Sequence, residues 1–174
     1  MIEYVLLVDE NDNNTGVMEK MQAHQEGLLH RAISIFIFND KNQFLLQQRA
    51  AEKYHSSLLW TNTCCSHPRP GELLIDAAHR RLREEMNMAC ELTHQFSFTY
   101  KAVLDGGLTE HELDHVFFGH TNMLPEPNPA EVCDWKYLSL EEIEQEIDEF
   151  PENYTSWFKL MLAKIKSTRN EHID

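Results

Sequence analysis

Short runs of β-branched, aromatic and aliphatic residues alternate along the chain with polar punctuation. Tyr4 to Val8, Ala32 to Phe38 and Gln43 to Gln48 are such runs, and they predict strands. Asn39-Asp40-Lys41-Asn42 joins the second run to the third and reads as a hairpin turn. From Leu74 to Met86 the period changes. Leu74, Ala78, Leu82 and Met86 fall on one helical stripe, with Asp76, Arg80 and Arg83 on a solvated face. Further strands are predicted over Phe96 to Val103, Val116 to Phe118 and Trp135 to Leu138. Ser139 and Glu142 have the spacing of a capping box, which opens a helix through Ile147. Pro151 interrupts, and Trp157 to Ile165 predicts a final amphipathic helix. The stretch Pro125-Glu126-Pro127-Asn128-Pro129 reads as a loop inside the domain, and there is no internal repeat. Interleaved strands and helices predict one layered α/β (α+β) domain over residues 1–174.

Composition narrows the function. A chain of 174 residues can build one self-sufficient core, and no run approaches the ~20 apolar residues of a bilayer span. Met1-Ile2-Glu3-Tyr4 lacks the basic and apolar regions of a secretory signal, so a cytoplasmic setting is expected. There Cys64, Cys65, Cys90 and Cys133 stay reduced. The 29 acidic residues outnumber 15 basic ones, a formal net charge of -14. Such a surface repels nucleic-acid backbones and anionic membranes, so neither is an expected partner. A phosphate-bearing ligand would need a local cationic patch or a bound metal, and 10 histidines make a metal site worth seeking.

Four clusters could carry chemistry. In Trp60-Thr61-Asn62-Thr63-Cys64-Cys65-Ser66-His67-Pro68 the two thiols point to opposite sides of an extended segment. Residues two apart share a face, so Cys65 goes with His67, although a buried strand end with two small thiols fits as well. Arg81, Glu84 and Glu85 are helical neighbours, suited to a divalent cation beside an anion or to a plain surface ion pair. In Glu110-His111-Glu112, just ahead of a strand, both carboxylates face one way and repel unless a metal or shared proton compensates. His24 and His30, six apart, do not share a helical face; a loop leading into the strand at Ala32 could converge them.

Read together, Gly27-Leu28-Leu29-His30-Arg31-Ala32, Leu46-Gln47-Gln48-Arg49, the Trp60 to Pro68 string, Glu110-His111-Glu112 and Trp135-Lys136-Tyr137 resemble the type I isopentenyl-diphosphate isomerases of the Nudix-fold superfamily. The resemblance runs from about Tyr4 to the Trp157 helix. It implies a Nudix-like layered fold, a mixed β-sheet flanked by helices, and isomerisation of isopentenyl diphosphate to dimethylallyl diphosphate through a tertiary carbocation. By that resemblance His24, His30, His67, Glu110 and Glu112 would ligate one divalent metal (Zn²⁺, Mn²⁺ or Mg²⁺), with His24 the ligand most dependent on loop length. Glu85, with the Cys65 carbonyl, would hold Mg²⁺ against the substrate diphosphate, and Lys20, Arg49, Lys53 and Arg81 would surround it. Cys65 and Glu112 would be the proton-transfer pair, with Glu112, helped by Tyr100, as the side that protonates the alkene. Tyr100 and Trp157 resemble the aromatic residues at the hydrocarbon end. A Nudix-type diphosphate hydrolase is the alternative, and a non-catalytic metal-binding domain the third reading. Arg80-Arg81-Leu82-Arg83-Glu84-Glu85-Met86-Asn87 departs from the hydrolase box, with Arg81 at an acidic position and Asn87 where glycine is usual.

Overall fold

A computed structural model of the chain describes residues 1–171, with side chains through Thr168. Strand β1 (Tyr4–Val8) turns back into β2 (Asn14–Glu19), which runs into the short helix α1 (Lys20–Glu26). Asp9 builds the turn, its Oδ1 accepting from the amides of Asn11 and Asn13 at 2.9 and 3.0 Å. The sequence reading contained neither β2 nor α1, because Asn14 to Glu26 is polar and carries no clear period. Capping makes the helix instead. The Glu19 carboxylate accepts from the amides of Met21 and Gln22, and Gly27 ends the helix in the left-handed region at φ 63°.

Strand β3 (His30–Phe38) is the hub of the sheet. It pairs in parallel with β8 (Thr109–His120) along its whole length. Its other edge takes the short strand β6 (Cys64–Ser66), with β1 at one end and β4 (Phe44–Arg49) at the other. Strand β4 also carries β5 (Trp60–Thr61) and β9 (Val132–Leu138), and β7 (Leu92–Val103) pairs antiparallel with β8. The result is the expected mixed sheet. Alternation along β3 assigns its faces. Ile33, Ile35 and Ile37 pack against Ala77, Ala78, Leu82 and Met86 of α2 (Leu74–Met86). Phe36 and Phe38 face Ile143 of α3 (Leu140–Glu149) and Phe158, Met161 and Ile165 of α4 (Ser156–Glu171). Each such fully buried side chain contributes roughly 1.5–3 kcal/mol, so both helical layers are held by the same central strand.

Several boundaries move. The stretch Val116 to Phe118 is the middle of a 12-residue strand that takes in Glu110, His111 and Glu112, so that trio lies in β8 rather than ahead of it. Strands β7 and β9 begin earlier than their hydrophobic runs, because paired ends tolerate polar residues facing water. Arg80 leaves the solvated face, since Glu72 pins its guanidinium at 2.7 Å. The capping box of Ser139 and Glu142 forms in both directions. Asn87 closes α2 at φ 51°, doing the work glycine would do. The proline-rich loop is tied to that helix end by amides of Glu126 and Asn128 on the carbonyls of Met86 and Glu85. No helix among the described residues is long and apolar enough to cross a membrane.

Candidate active site

Strand register builds the site. On β8 the side chains of Glu110, Glu112 and Asp114 share one face by the two-residue repeat. Parallel pairing sets His30 directly across from Glu112, and antiparallel pairing sets Tyr100 across from Glu112 on the other side. Cys65 of β6 lies across from Ser34 of β3. His67 follows β6 directly, and α1 delivers His24, whose ring centroid stands 4.9 Å from that of His30. A helix and a strand joined at Gly27, and not a loop, converge the two histidines.

Candidate ligand atoms of His24, His30, His67 and Glu112 lie within 4.8 Å of one another. Carbonyl groups fix two of the tautomers: His24 Nδ1 donates to Lys20 O at 2.7 Å and His30 Nδ1 donates to Leu28 O at 2.8 Å. Their Nε2 atoms are therefore bare lone pairs, and metal-binding histidines are oriented in this way. His30 Nε2 sits 3.2 Å from His67 Nε2 and 3.4 Å from Glu112 Oε1, and His67 Nε2 is 2.9 Å from that same oxygen. His24 Nε2 is buried without a hydrogen-bond partner. Lone pairs and a carboxylate converging in a buried space repel, and a divalent cation relieves this, so the donor set fits one. Burial lowers His67 to about 4, against the pull of Glu112. Burial also opposes charge on Glu112, but the Nε2–H of a neutral His67, 2.9 Å from Oε1, works against it and the group is held below the usual carboxylate range. Glu110 moves the other way, raised by burial and then by the charge of Glu112. Glu110 falls outside the four-residue group and forms a second one with His24 and His55. The Tyr100 hydroxyl bridges the two acids, 2.6 Å from Glu112 Oε2 and 3.1 Å from Glu110 Oε2.

The thiols divide as their alternation requires. Cys64 packs into the α2-side core, while Cys65 packs on the opposite side of the sheet. The Cys65 Sγ donates to Asn62 Oδ1 at 2.9 Å and lies 3.5 Å from Ser34 Oγ. Burial pushes the Cys65 thiol far up, so it holds its proton.

One cavity of about 270 Å³ gathers most of the expected residues. Cys65, His67, Tyr100, Glu110, Glu112 and Trp157 line its inner part, and Lys20, Arg49, Lys53 and Arg81 supply its cations. Three of the cations already hold carboxylates. Lys20 pairs with Glu3, Lys53 with Glu131, and Arg81 with Glu84, Glu85 and, at 3.4 Å, Glu131. Arg49 instead donates to the backbone carbonyls of Ser56 and His55 and stacks 5.3 Å from the Trp157 ring centroid. Glu85 stands one layer back, its oxygens taken by Arg81 and by Gln47 Nε2 at 2.8 Å.

Comparison with known proteins fixes the relationship. The NUDIX domain family matches residues 28–158. Isopentenyl-diphosphate Delta-isomerase of Pectobacterium atrosepticum is 58% identical over 161 residues, which is 92% of this chain and 90% of that protein. The chain belongs to the isopentenyl-diphosphate Delta-isomerase family. A second member, isopentenyl-diphosphate Delta-isomerase 2 of Aromatoleum aromaticum, is 52% identical over 98% of this chain and 90% of its own length. Among solved structures, one from Deinococcus radiodurans aligns with a TM-score of 0.79 at 19% identity, over 93% of this chain and 98% of that one, which is a likeness of fold.

Within this isopentenyl-diphosphate Delta-isomerase family member, the sequence reading overlooked three buried groups beside the cavity. Asn62 lies inside the quoted motif but received no role. Asp114, fully buried, accepts from Ser34 Oγ at 2.6 Å and continues the Glu110-Glu112 face, which its two-residue spacing would have signalled. His55 comes from the irregular segment between β4 and β5, where no period points to it.

Proposed function

We propose that the protein isomerises isopentenyl diphosphate to dimethylallyl diphosphate, supplying an isoprenoid precursor from one Nudix-like domain over residues 1–174. The observation that carries this reading is the meeting of Cys65, Glu112 and four cations in a single cavity of a chain 58% identical to a protein of that name. An unactivated alkene is a weak base, so the reaction needs a positioned acid, a positioned base and protection of the tertiary cation between them. Cys65 and the Glu112–Tyr100 pair are read as those two groups, on opposite faces of the flat C5 unit. At rest the thiol keeps its proton and Glu112 does not. These charges favour Cys65 as donor to the terminal methylene and Glu112 as acceptor from C2, the reverse of the direction expected from the sequence. Tyr100 donates to Glu112 and holds it in place.

The π face of Trp157 would stabilise the cation by roughly 0.5–2 kcal/mol in a dry pocket, without attacking it. Lys20, Arg49, Lys53 and Arg81 would grip the diphosphate, so binding energy remote from the double bond positions the reacting carbons. Divalent ions, when bound, would supply fixed charge among His24, His30, His67, Glu110 and Glu112, and Mg²⁺ near Glu85 would neutralise diphosphate. Zn²⁺, Mn²⁺ and Mg²⁺ each suit part of that donor set. The arginine at position 81, in place of an acid, counts against the hydrolase alternative. A small soluble diphosphate substrate and reduced thiols suit a cytoplasmic setting, with no nucleic acid or membrane partner. The test is to incubate the metal-loaded protein with isopentenyl diphosphate and Mg²⁺ and assay for the acid-labile allylic product. Its formation is expected; no conversion, or release of phosphate instead, would overturn the assignment.

A further inference from the structure

We propose that Thr61 and Thr155 are positioning residues for the isomerisation: with Asn62 they form a one-way chain of hydrogen bonds that holds the Cys65 thiol in register with the helix bearing Trp157. This rests on the reading that Cys65 and Trp157 act on the C5 unit. Thr61, Asn62 and Thr155 are fully buried. Thr155 Oγ1 lies 3.0 Å from Thr61 Oγ1, and Thr61 Oγ1 lies 2.9 Å from Asn62 Oδ1. The Cys65 Sγ lies 2.9 Å from that same oxygen.

The direction of every bond is fixed from the thiol end. Asn62 Nδ2 gives its protons to the carbonyls of Ile35 and Cys64, so Oδ1 can only accept. Thr61 therefore spends its single hydroxyl proton on Asn62, and the proton between the two threonines must come from Thr155. Thr155 in turn accepts from the Phe158 amide at 3.3 Å, as the residue that caps α4. Protons thus point one way, from the first turn of α4 to Asn62, where Thr61 and Cys65 take up both lone pairs of Oδ1. A capping hydroxyl needs only to accept; donating onward ties the helix to β5.

Two backbone contacts accompany the chain. The Thr155 amide donates to the Trp60 carbonyl at 3.0 Å, and Trp60 forms a β-bridge with Tyr154. These survive side-chain substitution and keep α4 on β5 whether or not the hydroxyls are present. The hydroxyls add direction: Thr61 fills one lone pair of Oδ1 and leaves the thiol a single place to bind. Trp157 stands two residues past Thr155 and packs in the same cluster as Cys65, so the chain also sets the indole relative to the thiol. Buried hydrogen bonds in series polarise one another, and the links act as a unit. A reacting group displaced by even about 1 Å slows the chemical step, whereas the cations that would grip the diphosphate lie elsewhere in the cavity.

Steady-state conversion of isopentenyl diphosphate by the metal-loaded full chain tests this on wild type, Thr61→Val, Thr61→Ser, Thr155→Val and the double Val variant, with a urea midpoint for each. Thr61→Val keeps the shape and loses the hydroxyl. Its kcat is expected to fall roughly 3- to 10-fold with KM unchanged, as the loss of one buried hydrogen bond gives. Thr61→Ser keeps the hydroxyl and should turn over like wild type. Thr155→Val should also lower kcat, and the double variant should be no slower than Thr61→Val, because losing Thr61 already disconnects Thr155. Thr61→Ala takes the place of Thr61→Val if the latter does not fold. A loss of less than about threefold in the folded variant, an equal loss in Thr61→Ser, or losses that multiply in the double variant would overturn the proposal while wild-type turnover leaves the isomerase reading intact. If the wild type itself converts no substrate, that reading falls and the positioning role with it.

Discussion

Asn62 sits with no exposed surface, and all of its polar side-chain atoms are engaged. Its Nδ2 donates to the carbonyls of Ile35 and Cys64 at 3.0 and 2.8 Å, which fixes the amide so that Oδ1 faces the other way. That oxygen accepts from Thr61 Oγ1 and from the Cys65 thiol, each at 2.9 Å. Asn62→Leu keeps roughly the same volume but strips two carbonyls, one hydroxyl and one thiol of a partner. At the lower end of the cost of a stranded buried group, the first three together remove about 3 kcal/mol of stability. That is a large share of the roughly 5–15 kcal/mol that holds a domain folded. The thiol adds little to stability, but without the amide nothing aims its proton, and kcat should fall by on the order of 10²-fold. KM should hardly move, because the cations lie elsewhere in the cavity. Urea denaturation and steady-state conversion of isopentenyl diphosphate measure the two effects. A loss below about 0.5 kcal/mol would refute the stability reasoning. An unchanged kcat would show that the amide does not orient Cys65.

Three further outcomes are expected. Cys65→Ser abolishes turnover while Cys64→Ser, on the α2 side of the sheet, spares most of it; equal losses in the same assay would mean the wrong thiol has been chosen. Glu131→Gln releases Lys53 and Arg81 for diphosphate and lowers KM roughly 2- to 5-fold with kcat unchanged, as a part-exposed ion pair is worth; a raised KM would make Glu131 a positioning residue instead. The third concerns pH in the metal-free protein, where His67 has a pKa of about 4 in place of 6.5. The unfolded chain takes up that proton first, so stability is full above about pH 6.5 and drains away as pH falls toward the folded value. Between pH 7 and 4.5 His67 accounts for about 2–3 kcal/mol of loss. It is read as the difference in urea stability between wild type and His67→Gln, which cancels the opposite contributions of Glu110 and Asp114. Parallel pH profiles for the two proteins would contradict it.

Much of this molecule is legible in its sequence where one local rule dominates. The helix from Leu74 to Met86 follows from a single stripe of apolar positions, and the helix after Ser139 from its capping box. The placement of Cys65, and not Cys64, in one cavity with His67 needed only the two-residue repeat of an extended chain. The helix bearing His24 was not legible, because a Glu side chain and a glycine define it rather than a hydrophobic face. Strand β8 was read as three residues because buried acids interrupt its apolar run, and two of those acids line the candidate site. His55 lies in an irregular segment with no period to mark it, and Asp114 meets Ser34 only through the pairing of strands far apart in the chain, although its spacing from Glu112 carried a local signal.

If Lys20, Lys53 and Arg81 grip the diphosphate as proposed, their pairing with Glu3 and Glu131 would make ligand entry an exchange of anions. A diphosphate arriving at this rim would then displace tethered carboxylates, and its net affinity would be the difference between two attractions. The same carboxylates stand ready to reclaim their cations when the allylic diphosphate departs. Because isomerisation leaves the diphosphate untouched, substrate and product are gripped alike, and such returning tethers keep the rim from becoming a trap.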